Sequence, residues 1–560
     1  MDRRVAQGRS PLASEAPPSS SLFVSIVVGC ALVAIALVVY TLSHPYRYYN
    51  HFEWQALAFL EGHAAIRYPV TATPSFPFDN SYFQDVLPVP TSDGVTRGLV
   101  PFPPLPAVVL MPFVAVWGLA ANGQLIFSIL AALDIGITWW VLGKLPVRTW
   151  VRVATTVFLG FGTVFWYAAQ IGTTWYQAHV LAVGLALAAI GVAIGGDRDS
   201  ARSEDDLDEL EAGDAAAETL VGSDAGGIGG GVTGDVARAR PRLPLAAIAP
   251  DRRQFLAGLL FGLACTSRLT VAFATPFFVL VGSGGSWRRR GWSAALGAGI
   301  PIGLLLVYNL VSTGHVFHPG YQYLYELEAG FYTPLNYHLD WQIEDLRYLP
   351  QNFGIMFLNG PVWLPTEVPS ALGPGGPLCT DASMARGLFN PACPLVLPKD
   401  TGMSILLTSP AYLLAMPALR WGFGMSRLVT GAGLAVLIVA FVNLMHFSQG
   451  WVQFGYRFSL DFAPWAILLV AIGLERIAAA TAVPVAATAV PTAAAPSWPL
   501  GGSPGVDGAA GSAVAAAPPA APGIGRRAGA LAVVALAILL VTVSVLVNLW
   551  GVVWGDVLGW

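Results

Sequence analysis

The sequence predicts an all-α polytopic membrane protein, and three observations carry that expectation. Of 560 residues, 55% are hydrophobic and only 11% are charged. Mean hydropathy is +0.61. Apolar runs of about 20 residues recur along the chain, each long enough to cross roughly 30 Å of hydrocarbon. An ordinary soluble protein is excluded.

The first run, Leu22 to Leu42, follows Arg3 and Arg4. The following Ser43-His44-Pro45-Tyr46 is a poor cleavage site, so the run reads as an uncleaved anchor behind a cytoplasmic tail over 1–21. Further apolar runs lie near 101–119, 123–142, 151–170, 174–195, 254–283, 293–313, 403–419, 428–447, 459–477 and 529–549. Lys144, Arg148 and Arg152 mark one cytoplasmic connection; Arg252 with Arg253, Arg288 to Arg290, and Arg420 with Arg427 mark others. Both ends of 254–283 then face the cytoplasm, which predicts a hairpin broken at Ser267-Arg268. The same charge pattern makes 101–119 a shallow or re-entrant helix, which its prolines tolerate. About 11 spans result, with the plasma membrane as location and Trp560 outside.

Two segments cannot bury a core. Residues 197–252 are acidic and include a glycine run at 226–231, and 478–527 are rich in Ala and Pro. Both read as disordered cytoplasmic linkers. They separate a first membrane module (22–196), a second (253–477) and a last span with an outer tail (528–560).

Two large loops, 43–100 and 314–402, face outward. All eight histidines fall in or near that side, among them His51, His179, His318 and His446. Cys379 and Cys393 share the second loop, where an oxidising compartment allows a disulfide, while Cys30 and Cys265 sit in apolar runs as inert thiols. Within the first loop, Phe52, Ala56, Phe59 and Leu60 recur at helical spacing, and Gly62 supplies a stop. An amphipathic helix on the membrane is expected, its polar side offering Asn50, Glu53 and Glu61.

Chemistry points to the same face. Asp79 and Asp85 stand in a polar, aromatic turn and are candidate general bases together with Glu53, because a hydroxyl attacking a carbon centre needs a carboxylate to take its proton. A phosphate leaving group needs a cation. Arg268 lies inside an apolar stretch, where ionisable residues are functional or paired. Arg457 and Asp461 stand four apart, as an i,i+4 pair would, and Arg457 is otherwise the leading phosphate ligand. His51, Tyr321 and His318 join these as substrate- or phosphate-binding candidates. Asp134, deep in its run, needs a partner or a wet cavity. His315 and His318 form a weak metal pattern, since Pro319-Gly320 opposes a helix. No Walker loop, zinc quartet, dinucleotide fingerprint or serine elbow occurs at a usable position, and nothing calls for a nucleic-acid partner.

With these residues in view, the chain resembles the bacterial GT-C membrane glycosyltransferases, the group of protein O-mannosyltransferases and lipid A aminoarabinose transferases. The resemblance rests on order: one span, a long outer loop, Val100-Pro101-Phe102-Pro103-Pro104-Leu105-Pro106, Phe161-Gly162-Thr163-Val164-Phe165-Trp166-Tyr167, Gly262 to Thr270, and Tyr456-Arg457-Phe458-Ser459-Leu460-Asp461-Phe462. It implies a GT-C-like bundle that moves a sugar from a polyprenyl-phosphate donor to a glycan, lipid or protein acceptor outside, usually with inversion. No cofactor is implied for certain, and a divalent metal is compatible. Many members carry an acid directly after the first span, whereas this chain has Tyr48-Tyr49-Asn50-His51. The competing classes are a transporter or lipid flippase, and an inactive relative that assists envelope assembly.

Overall fold

The computed structural model describes residues 19–42, 50–67, 85–89, 97–195, 249–331, 340–368, 375–381, 383–450, 452–481 and 524–560. Asp79 and nearly all of both linkers lie outside the described residues.

Helix α1 (Ser19–Thr41) is apolar on all sides and leads to α2 (His51–Leu60). Strands β1 (Ile66–Arg67), β2 (Leu87–Val89) and β3 (Arg97–Leu99) form a small antiparallel sheet in the order β1-β3-β2. The proline-rich exit then opens α3 (Leu105–Trp117), and Asn122 caps α4 (Gly123–Leu142) by accepting from the Leu125 N–H at 2.9 Å. After α5 (Thr149–Phe161) and α6 (Phe165–Ile171), Gly172 takes a left-handed conformation at φ 53°. That turn starts α7 (Thr174–Gly195) close behind it.

Helix α8 (Arg252–Cys265) ends at a break, and a 3-10 turn over Leu269–Ala274 leads into α9 (Pro276–Leu280). The Gln254 amide donates to the Phe278 and Val281 carbonyls, so both ends of this segment meet and it is a hairpin. Helix α10 (Trp287–Thr313) packs tightly along α8. At their contact, a Cβ on Gly258 would strike the Ala294 backbone, and one on Gly297 would strike the Phe255 carbonyl. Only glycine lets the two backbones come so near.

The second loop region carries α11 (Gly320–Phe331), strand β4 (Val362–Trp363), which pairs with β5 (Val396–Leu397), and the Cys379–Cys393 disulfide. Strand β6 (Thr401–Met403) lies parallel to β7 (Gln453–Gly455), which follows α12 (Arg427–Met445). Helices α13 (Ala463–Thr481) and α14 (Ile524–Leu558) complete the bundle. The tip of α14 joins the disulfide loop: Trp554, Leu558 and Trp560 cluster with Leu397, and the Trp554 indole donates to the Leu388 carbonyl at 2.9 Å.

Seven described helices are long and apolar enough to cross a bilayer: α1, α4, α7, α10, α12, α13 and α14; the α5–α6 pair, bent by 50°, makes up to eight. The chain is therefore built as a polytopic helical membrane protein, and the described residues show seven to eight candidate crossings rather than the eleven expected. Apolar length alone overcounts. The 254–283 run is cut at Arg268, the 403–419 run is cut into pieces at Ser409-Pro410, and α3 stops after 13 residues at Gly118. At 1.5 Å per residue, α3 reaches roughly 20 Å and cannot cross alone.

Candidate functional site

The break after α8 delivers Arg268 to the side of Asp461. The Arg268 Nε and Nη2 atoms donate to Asp461 Oδ1 and Oδ2 at 3.1 and 3.0 Å. The Thr270 hydroxyl donates to Oδ2 at 2.6 Å, and His179 Nδ1, from α7, lies 3.1 Å from Oδ1. Asp461 is buried; burial pulls its carboxyl up, but Arg268, helped by His179, outweighs this and holds it below the usual range. The expected Arg457–Asp461 pair does not form. Residues 457–461 wind as a 3-10 turn rather than an α-helix, and the carboxylate is taken by an arginine 193 positions away.

Arg268 also borders a cleft. Its walls are Phe102 and Pro103 from the first-loop exit, Thr174 and Trp175 from the start of α7, Ser267 from the break, and Tyr321 from α11. The interior has a volume of about 20 Å³, room for one or two waters. Burial raises the Tyr321 phenol to about 12 even with Arg268 nearby.

Asp85 is tied to the cleft wall through Trp175. The Trp175 indole N–H donates to Asp85 Oδ2 at 2.9 Å. Burial pushes the Asp85 carboxyl up to about 6, against the opposing pull of the Trp175 N–H and the Arg457 charge. Asp85 holds a left-handed backbone at φ 75°, a strained conformation for a residue other than glycine. Arg457 faces the rings of Tyr176 and Phe458 at 5.6 and 5.4 Å. His51 packs edge-on to Trp175 and Phe102, and its Nδ1 is 2.8 Å from the Thr174 hydroxyl.

Glu53 occupies a different place from the solvated helix face expected. Helix α2 packs on α3 and buries Glu53 to 5% exposure. Its carboxylate rests on the Gly123 N–H at the start of α4 and on Gln177, while Oε2 has no hydrogen-bond partner among the described residues. Burial raises this carboxyl to about 7, the hydrogen bonds working against it. His318 turns inward so that Nδ1 accepts from the Gly320 N–H at 3.0 Å, and burial lowers its ring to about 4. Among the described residues, no group of three or more His, Cys, Asp or Glu side chains is arranged to hold a metal. Asp134 packs against Gly184 of α7, and its Oδ2 has no partner.

The structure thus places Arg268 and Tyr321 in one cleft wall with Trp175, sets His51 and Asp85 against Trp175, puts Arg457 close enough to act on Asp85, and leaves Glu53 and His318 out of the cleft lining. Thr174, Trp175, Thr270 and His179 are given no site role by the sequence, although His179 stands among the outer-side histidines. His179 carried a usable signal, being an ionisable residue inside an apolar run; the others carried none.

Comparison with family models, with curated proteins and with solved structures gives no match to this chain.

Proposed function

We propose that this protein is an integral membrane glycosyltransferase of GT-C-like architecture, moving a sugar from a polyprenyl-phosphate donor to an acceptor on the outer face of the plasma membrane. One observation carries the reading: Trp175 walls the Arg268 cleft and holds Asp85, so a first-loop carboxylate and a guanidinium flank one ring. Asp85 takes the proton of the acceptor hydroxyl as its oxygen bonds to the anomeric carbon. The bond from that carbon to the phosphate oxygen breaks, and its electron pair leaves with the phosphate, whose charge Arg268 and Arg457 stabilise. Attack opposite the leaving group inverts the centre.

Transfer from a polyprenyl-phosphate sugar by purified full-length protein tests this. Asp85→Asn is expected to lower the rate at least about 100-fold, within the range of lost general-base catalysis, and Glu53→Gln to leave most of it. Full activity of Asp85→Asn would remove the base. A second reading, transport, draws on Asp134 alone, an acid with an unpartnered oxygen in the middle of α4. Its test is uptake or lipid flipping by liposomes that hold the protein.

A further inference from the structure

We infer that Asp461 is a positioning residue: it fixes the Arg268 guanidinium so that the remaining nitrogen, Nη1, serves the open mouth of the cleft, whose enclosed part has room only for water, as a preset receptor for a phosphate ester. The inference rests on the donor reading above and adds a residue and a geometry to it.

Free arginine side chains sample many rotamers, and a receptor built on one must order it at the moment of binding. Here the ordering is already done. Two of the three guanidinium nitrogens lie on the two Asp461 oxygens in a parallel two-point contact. The carboxylate cannot swing away, because Thr270 holds Oδ2 and His179 stands against Oδ1. The Phe458 ring lies 5.1 Å from the guanidinium carbon. Asp461 therefore joins the hairpin break, α7 and the turn before α13 at one point.

Two observations separate this arrangement from an ion pair that only binds helices together. The Asp461 side chain is fully buried, yet 21% of the Arg268 side chain is exposed, and that residue lines the cleft. Beside it the Ser267 hydroxyl, in a residue that also lines the cleft, is buried without a hydrogen-bond partner among the described residues. A hydroxyl and a guanidinium in one cleft wall can together donate to phosphate oxygens. Because Asp461 balances the Arg268 charge, recognition depends on the direction of N–H and O–H groups more than on net charge. Lysine, a point charge without the fork, would not replace Arg268.

The test measures binding of radiolabelled polyprenyl phosphate to the full-length protein in nanodiscs of zwitterionic lipid, with the uncharged polyprenol and inorganic phosphate as competitors. Wild type is expected to bind the lipid phosphate, with polyprenol and inorganic phosphate each competing poorly. Arg268→Lys, at a melting temperature close to wild type, and Asp461→Asn should each weaken binding at least about tenfold, and Asp461→Glu should restore part of it. Ser267→Ala should weaken binding several-fold. If Asp461→Asn fails to fold, Arg268→Lys still decides, since it keeps the charge and the carboxylate and loses only the fork. Lipid-phosphate binding by Arg268→Lys within twofold of wild type overturns the positioning role and leaves the donor reading standing. Absence of binding by wild type removes both, and full displacement by inorganic phosphate assigns the cleft to a soluble anion and overturns the lipid ester.

Discussion

Trp175 donates its indole N–H to Asp85 at 2.9 Å, and the same residue walls the arginine cleft. The N–H favours the ionised carboxylate and holds its pKa down against burial. With Asp85 as the base, kcat/KM for sugar transfer rises with pH through about 6 and levels off above it. Trp175→Phe keeps a ring and removes the donor. The midpoint of the profile should then move upward, and the plateau should fall about tenfold, as expected for a lost hydrogen bond to a charged group. A pH–rate series on both proteins checks this.

Glu53 makes a prediction about stability. Its carboxyl is raised by burial from 4.5 to about 7 in the folded chain, so the folded state holds a proton that the unfolded state has already released. The associated stabilisation is complete below 4.5 and is lost as pH rises through about 7, an effect of roughly 3 kcal/mol at most. The melting temperature of wild type should therefore fall between about pH 5.5 and pH 8, and Glu53→Gln should flatten that fall. Thermal melts in detergent across this range measure it.

The contact between α8 and α10 depends on missing side chains. A Cβ at Gly297 meets the Phe255 carbonyl, and backbone cannot step aside as a side chain can. Gly297→Val should destabilise the protein by about 1–3 kcal/mol, as overpacking does. Gly299→Ala, where a Cβ meets nothing within 4 Å, should not. Melting temperatures of the two variants provide the comparison.

The disulfide closes a loop between residues 14 apart, and Leu388 within it accepts the Trp554 hydrogen bond. Closing a loop of this length stabilises by roughly 3 kcal/mol. Replacing both cysteines by serine should expose 380–392 to protease and free the tip of α14, with sugar transfer retained. Limited proteolysis with and without reductant follows the first effect.

Much of this architecture is legible in the sequence because a bilayer asks for one thing, about 20 apolar residues in a row, and α4, α7 and α12 supply it openly. The proline-rich exit of the first loop is legible as well, and Phe102 and Pro103 from it stand in the cleft wall. What stayed hidden depends on partners distant in the chain. Spacing suggested Arg457 for Asp461, and only folding brings Arg268 there. Periodicity placed Glu53 on a polar face, yet it cannot register that α3 and the start of α4 cover that face. Trp175 gives no sign in sequence of a role beyond that of an interfacial aromatic.

The length of α14 has a mechanical consequence. Its apolar portion, Leu531–Leu558, is 28 residues long, about 42 Å of helix against roughly 30 Å of hydrocarbon. That is about 12 Å more than a straight crossing needs, and the disulfide loop packs on the C-terminal end of this helix through Trp554 and Leu558. Shortening α14 by four residues would draw its end back by about 6 Å without changing a side chain that lines the cleft, so the seat of the disulfide loop is set by the length of one helix that the cleft does not use.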